Sequence, residues 1–261
     1  MRQRLTPLDK EWIKLQKQEQ DYLQKRTKKK DSRLNQLIEN KVPEKLQGTL
    51  KEAFSKAFQL VFEKGTGVIE KTYDRMGLEK DYQINKYAAD VRQNRKSLKV
   101  FSKKAVNAGN VNLLLSGVSG IGLGILGIGI PDIVLFTGWM LKGLYEIALN
   151  YGFEYESEQE KQFLLLIIQG AVSYGSTLEE IDAQINFYIE NGTYQDPMPF
   201  KESMNAAADC LSKELLYMKF LQGIPIIGAA GGAYDVIYMK QVMKYAQLKY
   251  RHRFYYKKRM E

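Results

Sequence analysis

The residues best equipped for chemistry in this chain are its single histidine, His252, its single cysteine, Cys210, and two isolated acids, Asp132 and Asp235. A tightly held transition metal takes three or four N, S or O ligands, and a nucleophilic site needs a base within hydrogen-bond reach. One imidazole and one thiol supply neither, so a His-based metal site or catalytic triad is not expected. His252 stands among Arg251, Arg253 and Phe254, and Cys210 follows Ala206, Ala207, Ala208 and Asp209, the setting of a buried structural thiol. Glycines at 120, 122 and 124 superficially suggest a phosphate loop. No strand is expected before them and no lysine follows the loop, so that reading fails. Asp132 reads as a helix cap and Asp235 as a partly exposed surface acid. If either is buried, desolvation raises its pKa and makes proton-dependent behaviour available. No catalytic, cofactor or metal residue is assigned, and a hydrolase working with carboxylates alone is the remaining enzymatic reading.

Charge is the more informative signal. The net charge is +9, but residues 1–104 carry 26 Lys/Arg against 14 Asp/Glu, residues 105–240 carry 6 against 15, and residues 241–261 carry 7 against 1. Those parts amount to +12, −9 and +6, so basic ends flank an apolar, acidic middle. Lys25, Arg26, Lys28, Lys29, Lys30 and Arg33 form the densest basic run. Arg251, Arg253, Lys257, Lys258 and Arg259 interleave with Tyr250, Phe254, Tyr255 and Tyr256 in the tail. Cations mixed with aromatics suit single-stranded nucleic acid or the headgroup layer of an anionic membrane. The apolar segment nearby favours the membrane surface, and nucleic acid is not expected as a partner. A solvated helix face is the plain alternative for any one cluster.

The elements that must position these residues read as helices. Thr6, Pro7 and Asp9 make a helix start, with Leu8, Trp12, Leu15 and Tyr22 as a sparse apolar stripe interrupted at Glu19. The expectation there is a charged arm rather than a core helix, with residues 1–43 as a basic helical arm and 44–261 as the helical domain. Leu46, Leu50, Ala53, Phe54, Ala57, Phe58 and Val61 give an amphipathic core helix that Gly65 and Gly67 should stop. A further helix is expected from Leu78 to Ala105, set off by Gly77 and basic through Arg92, Arg95, Lys96, Lys99, Lys103 and Lys104. Later helices follow from Asp132 to Gly152, from a capping box at Thr177 and Glu180 to Gly192, over 200–221, and through Val242 into the tail. Glu154, Glu156, Glu158 and Glu160 read as an acidic loop. No period-two alternation predicts a sheet. The fold class is all-α: a multi-helix bundle with a glycine-rich apolar central helix pair and a basic N-terminal helical arm.

Residues 111–130 hold no charge and have the length of a transmembrane helix, yet six of the twenty are glycine. Each glycine costs a helix in water roughly 0.8–1 kcal/mol relative to alanine, so a bilayer or a closely packed neighbour must support the segment. Gly117, Gly120, Gly124 and Gly127 recur at steps of three, four and three and read as a helix-packing face. A lone cysteine excludes an internal disulfide, and the N-terminus lacks the apolar stretch and cleavage site of a signal peptide. The expected location is the cytoplasmic side, in association with the membrane.

Gly129, Ile130, Pro131 and Asp132, the run Glu146 to Gly152 (Glu-Ile-Ala-Leu-Asn-Tyr-Gly), and Pro225 through Ala233 together resemble the bacterial EcsC family over about residues 45–255. Family members look like helical proteins often encoded beside a two-component ABC exporter. The resemblance implies a transport accessory protein with an ABC transporter as partner, and it carries over no catalytic residue. The competing function is a soluble helical bundle that binds a lipid or other apolar ligand in a glycine-lined interior.

Overall fold

The computed structural model describes residues 5–27, 44–108, 130–221 and 233–261, and among them every regular element is helical. The helices are α1 (Pro7–Thr27), α2 (Glu44–Leu60), α3 (Thr66–Glu70), α4 (Arg75–Arg92), α5 (Arg95–Ala108), α6 (Ile130–Asn150), α7 (Glu158–Val172), α8 (Gly175–Asn191), α9 (Phe200–Leu221) and α10 (Ala233–Met260). The all-α expectation therefore stands. The glycine face at Gly117, Gly120, Gly124 and Gly127 lies outside the described residues. So do Lys28, Lys29, Lys30 and Arg33. The backbones of Asp132 and Asp235 fall in the first turns of α6 and α10, while their side chains lie outside the described set.

The core is organised around α6, α7 and α10. Met140, Leu141, Leu144, Tyr145, Ile147 and Ala148 of α6 are completely buried, which is why that helix reads as apolar on nearly every side. It packs against α2, α4, α5 and α10, while α7 packs against α8, α9 and α10. Gly170 permits the second crossing: a Cβ there would sit 2.6 Å from the Tyr245 ring, so a larger residue would force α10 off α7. At the end of α6, Gly152 takes φ +77, and a Cβ would fall 2.1 Å from the Tyr82 ring. Only glycine meets both demands without strain.

Several boundaries differ from the sequence reading, each for a local reason. Gly65 and Gly67 do not stop the second helix. A π-helical turn over Val61–Gly65, where the Thr66 hydroxyl donates to the Val61 carbonyl at 3.2 Å, passes the chain into α3. Gly77 does not break the next helix either, since it lies in the first turn of α4 and donates its N–H to the capping Asp74 carboxylate at 2.9 Å. The break falls at Gln93, in the left-handed conformation at φ 44, after which Asn94 accepts from the Ser97 N–H at 2.9 Å to open α5. Thr177 and Glu180 form no start, because α8 begins two residues earlier at Gly175. The residue that does cap is Ser157, whose hydroxyl accepts from the Glu160 N–H at the head of α7.

α1 is a core helix, not an arm. It begins with a reciprocal box in which the Thr6 N–H donates to Asp9 at 3.1 Å and the Asp9 N–H donates to the Thr6 hydroxyl at 3.0 Å. The Thr6 hydroxyl also donates to the Asp9 carboxylate at 2.7 Å, and this bond, followed by that from the Thr6 N–H, leads the influences that hold the Asp9 carboxyl below its ordinary range. Leu15 and Tyr22 are buried, Leu8 and Trp12 pack partly under them, and the helix lies on α5, α8 and α10. The stripe looked too sparse because its missing member, Glu19, is filled by charge rather than by an apolar side chain.

Candidate functional site

The expected lipid-contact cations occupy three kinds of place. Lys25 is exposed on α1, whereas Arg26 donates from Nε and Nη2 to the Ser173 carbonyl at 3.2 and 3.0 Å and lies 4.2 Å from the Tyr174 ring centroid. In the tail, Arg253 forms a two-pronged pair with Glu160, at 2.8 and 2.5 Å, and covers the Phe153 ring at 4.2 Å. Arg251 donates to Gln18 at 2.5 Å, Lys258 pairs with Asp90, and Arg259 pairs with Asp9 at 2.6 Å. Lys257 is exposed. Most of the aromatic and basic tail is therefore the structural end of α10. The acidic loop is likewise divided: Glu156 binds Arg75 at 2.8 Å, Glu154 accepts from the Ser157 hydroxyl at 2.5 Å, and Glu160 is buried under Arg253. For Arg253, burial works to lower the pKa and the bound Glu160 outweighs it, leaving the guanidinium still more firmly charged.

Behind α1 lies a buried charge cluster. Lys249 of α10 is 1 % exposed and reaches Glu19 at 3.1 Å, Asp182 at 2.6 Å and the Asn186 side-chain oxygen at 2.9 Å. Tyr245 donates to Asp182 at 2.6 Å, and Tyr22 stacks on Tyr245 with centroids 5.1 Å apart. His252 Nδ1 meets Glu19 at 3.0 Å, and its ring stands edge-on to Trp12 at 4.9 Å. Burial raises the Glu19 pKa, but the His252 hydrogen bond and the Lys249 charge together outweigh it and hold the carboxyl below its usual value. Tyr245 goes the other way, pushed well up by burial and by the adjacent Asp182. This cluster places the single histidine as a clamp between α1 and α10. Cys210 has different neighbours, with the Ser173 hydroxyl 4.0 Å from its sulfur, and burial raises its thiol pKa. That is the opposite of what a reactive thiolate needs.

A second polar region opens outward. An open cleft of about 520 Å³ between α4, α5 and α6 is lined by Tyr73, Asp81, Lys104, Glu146 and Asn150 among others. Glu146 accepts from Lys142 at 2.8 Å, and burial, only partly offset by that lysine, raises its pKa. Tyr73 and Tyr155 share a 2.6 Å hydrogen bond, and Tyr155 donates to Glu70 at 2.6 Å. Glu146 and Asn150 belong to the run over 146–152 that carried the family resemblance. Of the cleft's carboxylates, Asp81 and Glu146 are matched by Lys104 and Lys142 while Asp74 caps α4, and among the described residues no group of three metal-binding side chains converges.

The third feature is a pole where the start of α1, the end of α4, the start of α5 and the end of α10 meet. Arg259–Asp9, Lys258–Asp90 and Arg95–Glu11 tie those four helices together. Each of these acids is already engaged by a cation of the same chain. Lys10, Lys14, Arg92, Lys96 and Lys257 remain exposed around them. Sequence reasoning noted the basic character of α5 but missed this pole, because its members lie up to 250 residues apart and only the ion pairs bring them together.

A family model for the EcsC protein family matches residues 9–254. The chain belongs to the EcsC family. The match starts inside α1, further toward the N-terminus than the resemblance read from residue 45, which agrees with α1 being packed into the core. No curated protein and no solved structure matches this EcsC chain. Among its described residues, no helix is long and apolar enough to cross a membrane.

Proposed function

We propose that this EcsC protein is a peripheral accessory protein of the cytoplasmic membrane face, held on anionic lipid by its basic pole, serving an ABC-type exporter and performing no catalysis of its own. The observation that carries the reading is the pole itself, where Asp9, Glu11 and Asp90 are engaged internally and five cations stay exposed, outnumbering the exposed Glu261 that follows α10. Each Lys or Arg near an anionic surface contributes about 1 kcal/mol, so five supply ~5 kcal/mol at low salt. That corresponds to several thousandfold in partitioning. The exporter partner comes from the family resemblance alone. Co-sedimentation with vesicles of phosphatidylcholine, with and without phosphatidylglycerol, tests the lipid part. Binding should require the anionic lipid and fall sharply at ~1 M salt, where the Debye length is about 3 Å. Equal binding to both vesicle types at every salt concentration would remove the electrostatic basis.

The open cleft between α4, α5 and α6 favours the second reading, a helical bundle that holds a lipid or other ligand. Its lining of Tyr73, Asp81, Lys104, Glu146 and Asn150 is polar, so it suits a headgroup better than an acyl chain. Mass spectrometry of the purified protein, reporting a stoichiometric lipid, would support that reading over the first.

A further inference from the structure

We infer that α4 is the element that enters the bilayer surface, laying an exposed apolar ridge among the headgroups of anionic lipid; this rests on the membrane reading above and names the part of the chain that carries it out. Met76, Lys80, Ile84, Tyr87 and Val91 follow one another at steps of four, four, three and four, so they share one face of the helix. The opposite face, with Leu78, Tyr82 and Ala89, packs inward on the core. Burial of that face explains why α4 forms and where it lies. It does not explain the outer one.

On that outer face Met76, Ile84, Tyr87 and Val91 are 65 %, 65 %, 73 % and 64 % exposed. Single exposed apolar residues need no explanation, but four in register on one face, interrupted by Lys80, form a ridge. Charge selects the occupant. Lys80 stands within the ridge, and Arg92, Arg95 and Lys96 stand at the end that leads into the basic pole. The nearest acids are turned to other tasks, Glu79 on Arg75 and Asp90 on Lys258. An aliphatic ridge with one tyrosine and basic flanks matches the boundary between acyl chains and anionic headgroups, where Lys and Arg snorkel and tyrosine places its ring at headgroup level. A second copy of this chain fits less well, since a twofold contact of the ridge with itself would bring the two Lys80 ammonium groups into one desolvated patch.

The test uses the full-length chain and vesicles containing phosphatidylglycerol. The triple variant Ile84→Ser, Tyr87→Ser, Val91→Ser replaces only exposed side chains, so its thermal unfolding should stay close to that of the wild type. Vesicle affinity should fall on the order of tenfold or more, as expected for losing three partly buried apolar side chains. A Tyr87→Trp variant should show a blue-shifted emission on anionic vesicles and none on phosphatidylcholine alone. If the wild type binds anionic vesicles and the triple variant binds equally well, the ridge does not insert, while the electrostatic reading stands. Failure of the wild type to bind anionic vesicles at low salt would remove both. A wild-type dimer that the triple variant converts to monomer, with vesicle binding unchanged, would assign the ridge to self-association and overturn the inference.

Discussion

Replacing Lys249 with alanine tests whether α1 is held by a desolvated charge cluster. The ammonium is 1 % exposed and is shared by Glu19 at 3.1 Å and Asp182 at 2.6 Å, whose side chains are themselves 11 % and 7 % exposed. Removing it leaves Asp182 without a cation, and Glu19 with His252 alone, in a poorly solvated site. Breaking a buried pair in this way costs about 3–5 kcal/mol, against ~1 kcal/mol or less for an exposed one. For a chain of this size each kcal/mol moves the melting temperature by about 2–4 °C, so a fall on the order of 10 °C is expected. The assay is thermal unfolding by circular dichroism at pH 7, with limited proteolysis near residue 27 reporting whether α1 lifts away. Combining Lys249→Met with Glu19→Gln and Asp182→Asn removes all three charges and should recover most of the loss, because the cost lies in the carboxylates left without the ammonium. The pH dependence follows from Glu19. Its folded pKa lies below the ordinary 4.5, so the folded chain binds that proton more weakly than the unfolded chain. Its stabilisation is complete above that ordinary value and is lost as pH falls through the folded pKa. A Lys249→Ala shift of under about 2 °C, with unchanged proteolysis, would refute a desolvated cluster and the clamping of α1.

Gly152→Ala should destabilise the protein by several times the ~1 kcal/mol of an ordinary helix-end substitution, measured by urea unfolding, because the new methyl meets the Tyr82 ring and the left-handed backbone together. Arg253→Met should lower stability by about 3 kcal/mol or more by leaving Glu160 buried and unpaired, and adding Glu160→Gln should restore much of it in a double-mutant cycle. Glu146→Gln should become more favourable relative to the wild type as pH rises from 4 to 7. Burial raises the folded pKa of this acid, so its charged form is penalised in the native state and the penalty disappears once the wild type is protonated.

The helical class and most of the core were legible because α2, α6 and α8 show their apolar positions at helical spacing, and most of those positions are buried. The helix expected over 200–221 is found at Phe200–Leu221. What escaped was interior built from charge. Glu19 breaks the apolar stripe of α1, and nothing near it in sequence announces that Lys249 and His252 complete the stripe from more than 200 residues away. Arg253 looked like part of a lipid-binding tail for the same reason, since a cation reads as exposed until Glu160 is seen beneath it. The break at Gln93 was hidden because glutamine carries no turn signal, whereas Gly77, which does, sits inside a helix. The ridge on α4 was invisible because its residues resemble core until the opposite face is known to be the buried one.

The central claim is that this EcsC protein holds to the cytoplasmic membrane face from outside, by charge and a shallow apolar ridge. Fractionation of cells expressing the full chain addresses it most directly. The account predicts that the protein sediments with membranes at low ionic strength and passes into the supernatant on washing with ~1 M salt or alkaline carbonate, without detergent. Retention in the pellet through both washes, with release only by detergent, would contradict it, as would a protein found wholly in the supernatant at low ionic strength.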